Sequence, residues 1–243
     1  MDNRHVYKSR DFALRWHKHQ LEKEDILRTK IMNLLLFRHA GKLENKIVLE
    51  AGCGNGFFLK YLLKLNPKQL FAFDISPHFI DICRKQFPLV NYKTADIMSK
   101  IPYDDEFFDV VFSYNVLSEL PEINTAVMEM QRVTKKQGIL HVIIVHPLYN
   151  LFVNGKQVEK ETVFKKLGRY TKQEPVFVDT LPGYDKFLIY RRPIADYVNE
   201  FIKSNLTIEK MIEVPVSSKV VQINKKYKQR EGIPVFAYFK LRR

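Results

Sequence analysis

Lys46-Ile-Val-Leu-Glu-Ala-Gly-Cys-Gly-Asn-Gly56 decides the fold. Ile47, Val48 and Leu49 form a short apolar run, the pattern of a strand buried on both faces. Glu50 ends it, and Gly52, Gly54 and Gly56 follow on alternate positions. Glycine spaced this way lets the backbone turn sharply and approach a ligand that side chains would exclude. Phe57, Phe58, Tyr61, Leu62 and Leu65 then recur at helical spacing until Asn66-Pro67. Strand, glycine turn and helix, in that order, are shared by the nucleotide-binding α/β folds. The spacing is not that of a dinucleotide fingerprint, because Phe57 stands three residues after Gly54. No Gly-Lys-Ser/Thr of a phosphate-cradling loop is present either.

Outward from this turn the alternation continues. Gln69 to Asp74 reads as a second strand ending in an acid. Ser76-Pro77 supplies an N-cap and a first-turn proline for a helix from His78 to Phe87. Val90 to Ala95 reads as a third strand ending at Asp96, Phe108 to Ser113 as a fourth, Glu122 to Thr134 as a helix and Gly138 to Val145 as a fifth strand. This order predicts a doubly wound, mostly parallel sheet with right-handed crossovers. From Pro147 to Tyr190 the pattern breaks into aromatic and basic residues with turn signals at Asn154-Gly155 and Pro182-Gly183. That stretch reads as an irregular or hairpin insertion over the sheet edge. A helix from Arg192-Pro193 to about Lys203, a strand from Leu206 to Val216, a basic loop over Asn224 to Arg230 and a terminal strand from Pro234 to Lys240 complete the chain.

The 243 residues, 46% hydrophobic, suit one domain with a full core. The boundaries are an N-terminal helical cap (1–46), a binding core (47–146), an inserted lid (147–190) and a C-terminal helix with strands (191–243). The longest N-terminal apolar stretch, Ile31 to Phe37, is too short to span a bilayer. Met1 to Asp11 is charged and unlike a signal peptide. Cys53 and Cys83 lack metal-ligand spacing, so a reducing, cytoplasmic setting with no metal is expected. The formal charge of +13 is uneven: +5 over 1–46, −1 over 47–146 and +9 over 147–243. The excess on the flanks fits an anionic substrate or partner, or simply a lysine-rich solvated surface.

Ligands of a doubly wound sheet bind at the carboxyl ends of the strands. Asp74 stands at one such end, where a carboxylate can accept both hydroxyls of a ribose. Asp96 stands at another, with Ile97 beside it to pack on an adenine ring. Glu50-Ala-Gly-Cys-Gly-Asn-Gly56, Phe73-Asp-Ile-Ser76, Ala95-Asp-Ile97 and Phe108-Asp-Val-Val-Phe-Ser-Tyr-Asn-Val-Leu117 resemble motifs I to IV of the class I S-adenosylmethionine (SAM) methyltransferases. The resemblance implies a Rossmann-like sheet of seven strands, mostly parallel, with an antiparallel C-terminal strand and SAM as cofactor. By it, Gly52, Gly54 and Gly56 border the methionine part of SAM. Asp74 with Ile75 takes the ribose, Asp96 with Ile97 the adenine, and Ser113, Tyr114 and Asn115 lie near the sulfonium. Glu50 organises the glycine turn. The stretches Tyr190 to Tyr197 and Glu213 to Pro215 are similar to the tail of the superfamily's small-molecule branch.

A base N-methyltransferase would carry Asp/Asn-Pro-Pro-Tyr/Phe where Ser113-Tyr-Asn-Val116 stands, and a cytosine-C5 enzyme a Pro-Cys pair that is absent. An aromatic RNA-binding signature is missing too. The expectation is methyl transfer to an oxygen or nitrogen of a small metabolite. The alternatives are an RNA- or ribosome-directed enzyme using the basic flanks, and a SAM binder without turnover. His146, directly after the fifth strand, is the expected base, with Glu119 behind it. Tyr149, Arg169, Tyr184, Arg191 and Arg192 are the expected substrate contacts, the arginines pairing an anionic group. Tyr7, Phe12 and Trp16 are placed in an N-terminal segment able to close over the cofactor.

Overall fold

The glycine turn leaves the carboxyl end of a central strand in a seven-stranded sheet. The computed structural model describes residues 2–22, 25–151, 167–178 and 187–243. The sheet runs in the order β3 (Asn91–Thr94), β2 (Gln69–Asp74), β1 (Ile47–Ala51), β4 (Phe108–Tyr114), β5 (Thr134–Val145), β9 (Pro234–Arg242) and β8 (Thr207–Pro215). The first five are mutually parallel, and β9 is antiparallel to both of its neighbours. The chain moves outward from β1 to β3 and then returns to β4 on the other side of β1. That reversal opens a crevice between β1 and β4, the place where such sheets bind ligands.

Alternation along the strands explains why both faces are covered. Val48 faces one apolar cluster and Leu49 the other; on β9, Phe236 and Tyr238 face the first, and Ala237, Phe239 and Leu241 the second. The first cluster is closed by α3 (Asn33–His39), α4 (Leu59–Lys64) and α5 (Pro77–Gln86). The second is closed by α6 (Asn124–Val133) and α8 (Ile194–Lys203), which bury Met130, Tyr197 and Phe201. The cap of α5 is as its sequence demands: Ser76 accepts from the Phe79 amide at 3.3 Å and Pro77 occupies the first helical turn. Glu209, Lys210 and Glu213 stand exposed along β8, charging one outer edge against further pairing.

Some boundaries move. The helix expected from Glu122 starts at Asn124, and the fifth strand begins at Thr134, with a register shift between Phe108 and Val110 on its neighbour. The basic stretch expected to be a loop is a 3-10 turn, Lys225–Arg230, which Asn224 caps by accepting from the Lys226 amide. It follows α9 (Ser218–Ile223). Within 147–190 the chain forms α7 (Pro147–Leu151) and an antiparallel hairpin of β6 (Glu174–Val178) and β7 (Phe187–Arg191). Tyr184 lies outside the described residues.

The N-terminal segment forms α1 (Arg4–Tyr7), α2 (Arg10–Glu22) and a π-turn (Arg28–Met32) leading into α3. Phe12, Phe79, Phe187 and Ile189 form a third apolar cluster, in which α2, α5 and β7 meet above the carboxyl ends of the strands. Asn3 fixes this arrangement: its side-chain amide donates to the Leu188 carbonyl at 2.6 Å and accepts from the Leu188 amide at 3.0 Å.

Candidate active site

Where β1 ends, the backbone must turn without blocking the crevice. Gly52 has φ +78, and a Cβ on it would lie 2.4 Å from a Val116 methyl. Gly54 has φ +53, and a Cβ on it would meet nothing within 4 Å, because it faces the open cleft. Gly56 turns away from the cleft and packs on Phe87 and Cys83. The turn is anchored by Gly52 and Cys53 amides donating to the Phe73 carbonyl at 2.9 and 3.0 Å.

Asp74 ties strand two to this turn. Its Oδ2 accepts from the Gly54 amide at 2.8 Å and its Oδ1 from the Ser76 amide at 2.9 Å. Burial pushes the carboxyl up to about 6, against the pull of those amides. Asp96 accepts from the Met98 amide at 2.9 Å and lies 3.5 Å from the Arg4 guanidinium; Ile97 is buried beside it. Glu50 is buried, and burial holds it well above the ordinary carboxylate range. Among the described residues its Oε2 has no partner, nor do Ser113 Oγ, Tyr114 OH and Asn115 Oδ1. Asn115 holds φ +60, a left-handed conformation that asparagine tolerates better than most residues. Buried polar atoms without partners are rare in a folded chain, and these four cluster at the ends of β1 and β4.

Glu50, Gly52, Gly54, Asp74, Ile75, Asp96, Ile97, Tyr114 and Asn115 all line one cleft. Ser113 sits on β4 just beneath it. The remaining walls come from the N-terminal segment and the turn after β4, where the sequence singles out Tyr7, Trp16 and Glu119 but not Arg28, Leu120 and Pro121. Arg28 lies over the rings of Trp16, Phe57 and Tyr114 at 5.8, 5.6 and 6.0 Å. Tyr7 donates its hydroxyl to Glu119 Oε2, and Trp16, Leu120 and Pro121 complete the walls.

The expected acceptor-side residues that are described do not line this cleft. His146 does not line the cleft. Its Nδ1 accepts from the Leu148 amide at 3.1 Å, which leaves the proton on Nε2, 2.8 Å from Glu213 Oε1. Burial lowers its pKa, with Glu213 opposing. Tyr149 hydrogen-bonds Arg230 at 2.9 Å, and Arg169 pairs with Glu174 at 2.7 Å. Arg191 is buried against the same Glu174, and Arg192 is buried with its guanidinium donating to the carbonyls of Leu117, Leu120 and Pro121. The two buried arginines therefore hold the hairpin and the turn after β4 in place.

A glycine turn, acids at successive strand ends and a sheet whose seventh strand is reversed define an α/β domain that binds an adenosyl cofactor. Residues 49–142 match a family model described as a methyltransferase domain. The match covers the binding core, 94 of the chain's 243 residues, and marks that segment as a methyltransferase domain. An uncharacterized methyltransferase-like protein of Schizosaccharomyces pombe is 34% identical over 147 residues, 58% of this chain and 54% of that protein. The tRNA U34 carboxymethyltransferase of Nautilia profundicola is 36% identical over 96 residues, 37% of this chain and 31% of that protein. The chain thus spans about half the length of the first relative and a third of the second. A SAM-dependent methyltransferase structure from Mesorhizobium loti superposes with a TM-score of 0.70 over 86% of this chain and 96% of that one; at 17% identity the likeness is one of fold.

Proposed function

We propose that the protein transfers the methyl group of SAM to an oxygen or nitrogen of a small-molecule acceptor. The observation that carries this reading is the set of unpartnered acceptors, Glu50 Oε2 and Asn115 Oδ1 above all, beside the open path at Gly54. In this reading Gly52 and Gly54 border the methionine part, Asp74 holds the ribose, Asp96 and Ile97 the adenine, and Ser113 to Asn115 lie toward the sulfonium. Charge agrees with a cationic ligand. Asp2, Glu50, Asp74, Asp96 and Glu119 line the cleft against Arg4 and Arg28. SAM supplies an activated methyl on a sulfonium; the protein's part is to orient the acceptor for in-line attack and keep water out. The roof made by α1, α2 and the β6–β7 hairpin supports a small acceptor, since it narrows the way in.

A second reading, transfer to RNA, is favoured by one separate observation. At the opposite end of the sheet Lys42, Lys46, Lys135, Lys136, Lys240 and Arg242 line a basic cavity. Incubation with methyl-labelled SAM and an extract split into small-molecule, RNA and protein fractions separates the readings. Label in the small-molecule fraction is expected. Label in RNA, with strong inhibition by moderate salt, would replace the first reading by the second. SAM binding without label in any fraction would reduce the protein to a binder. Among the described residues no helix is long and apolar enough to cross a membrane.

A further inference from the structure

With His146 outside the cleft, the groups able to accept a proton inside it are few, and one of them has no cofactor contact assigned to it. We infer that Glu119 is the catalytic base of the transfer, that Tyr7 is its positioning residue, and that the acceptor is a hydroxyl that must lose its proton to react. This rests on the methyl-transfer reading of the cleft.

Glu119 ends the short turn after β4, next along the cleft wall from Tyr114, Asn115 and Val116. The turn is rigid where it needs to be. The Glu119 amide donates to the Val116 carbonyl at 2.9 Å, and the buried Arg192 guanidinium holds the carbonyls of Leu117, Leu120 and Pro121. The two carboxylate oxygens have different surroundings. Oε2 accepts from the Tyr7 hydroxyl, which burial keeps protonated and therefore a donor. Among the described residues no donor is assigned to Oε1. One oxygen is fixed and the other is left for the cleft.

The surroundings also set the basicity. Burial pushes Glu119 up to about 7, Asp74 at the end of β2 adds to the rise, and Tyr7 from α1 and Arg28 from the π-turn oppose it. Arg192, which follows β7, spends its donors on the carbonyls of the same turn. A carboxylate near 7 is matched to proton abstraction at neutral pH. A residue that merely tied the N-terminal segment to the sheet would do so as well as glutamine.

The step balances. As the acceptor oxygen forms its bond to the methyl carbon, the carbon–sulfur bond breaks and its electron pair stays on sulfur as a neutral thioether. The acceptor's proton goes to Glu119 Oε1. The sulfonium charge and the carboxylate charge disappear together.

The test uses Glu119→Gln and Tyr7→Phe in the full chain, with SAM affinity and transfer measured separately. Glu119→Gln should keep SAM affinity within about threefold, lose at least about 100-fold in transfer, and lose the acid limb of the pH–rate profile. Tyr7→Phe removes the bond that lowers the Glu119 pKa, so the acid limb should remain and move to higher pH. In protein without SAM, the ¹³C carboxyl signal that disappears in Glu119→Gln should titrate near pH 7. Wild-type transfer with an unchanged rate and acid limb in Glu119→Gln would overturn the base assignment alone. A carboxyl midpoint in the ordinary glutamate range would also overturn it. Wild-type protein that binds SAM and labels nothing would overturn the methyltransferase reading and this inference with it.

Discussion

The two ends of the sheet treat charge in opposite ways. At the carboxyl ends of β1, β2 and β4, Glu50, Asp74 and Glu119 are pushed up by burial, and Glu50 keeps an oxygen without a partner. At the amino ends the carboxylates are saturated. Asp109 accepts from the Ile47 amide at 2.7 Å and from Lys135 at 3.0 Å. Arg132 bonds Glu129 and Asp105 as well as the Ile101 and Tyr103 carbonyls. Lys240 and Arg242 share Glu209. Asp109 and Glu129 end below their ordinary values even though burial opposes it. One end keeps buried carboxylates short of partners; the other ties Asp109, Glu129 and Glu209 to cations that hold the strands together.

The largest effect that would sharpen this contrast comes from filling the open path. Gly54→Val should weaken SAM binding by at least about 100-fold, roughly 3 kcal/mol, because the side chain occupies ligand space and the positive φ is strained. Titration calorimetry reads the affinity, and a melting temperature that falls only modestly would show that the damage is local. Arg132→Ala tests the other end. It strands Glu129, 14% exposed, and two carbonyls, so denaturant unfolding should show a loss of about 2–3 kcal/mol with SAM affinity unchanged. A change in affinity there would break the division.

Asn3→Ala should cost about 1–2 kcal/mol through the two bonds to Leu188. Faster amide exchange confined to α1 and β7, with β1 and β4 still protected, is the expected pattern. A further effect is on pH. In the ligand-free protein, Asp74 keeps a proton to about 6 that the unfolded chain loses near 3.8. Stability therefore falls as pH rises across that window, by on the order of 2–3 kcal/mol in all. Asp109 and Glu129 act with the opposite sign, stabilising above their ordinary pKa values and losing that contribution as pH falls below them. Glu50→Gln should flatten the loss of stability as pH rises; equal slopes in both proteins would contradict the buried, uncompensated Glu50.

The two ends also differ in how far they could be read from sequence. The cofactor end is written locally. A strand's apolar run, its terminal acid and the following glycine or proline are neighbours in the chain, so Asp74, Asp96 and Gly54 were legible with their surroundings. The cap is not local. Tyr7 meets Glu119 across 112 positions and Asn3 meets Leu188 across 185, and no spacing rule records such pairs. His146 shows the limit of position alone. Its place after β5 was right, but a strand end does not say which way the side chain turns, and this one turns to Glu213 on β8. Arg191 and Arg192 look like free cations beside a proline, and only the fold reveals that a carboxylate and three carbonyls already occupy them.

Direct titration of SAM into the wild-type chain and into Asp74→Ala tests the assignment of this cleft most simply. We expect saturable binding by the wild type that Asp74→Ala abolishes while its circular dichroism stays native. Binding that survives unchanged in Asp74→Ala, or a folded wild type that does not bind SAM, would contradict it.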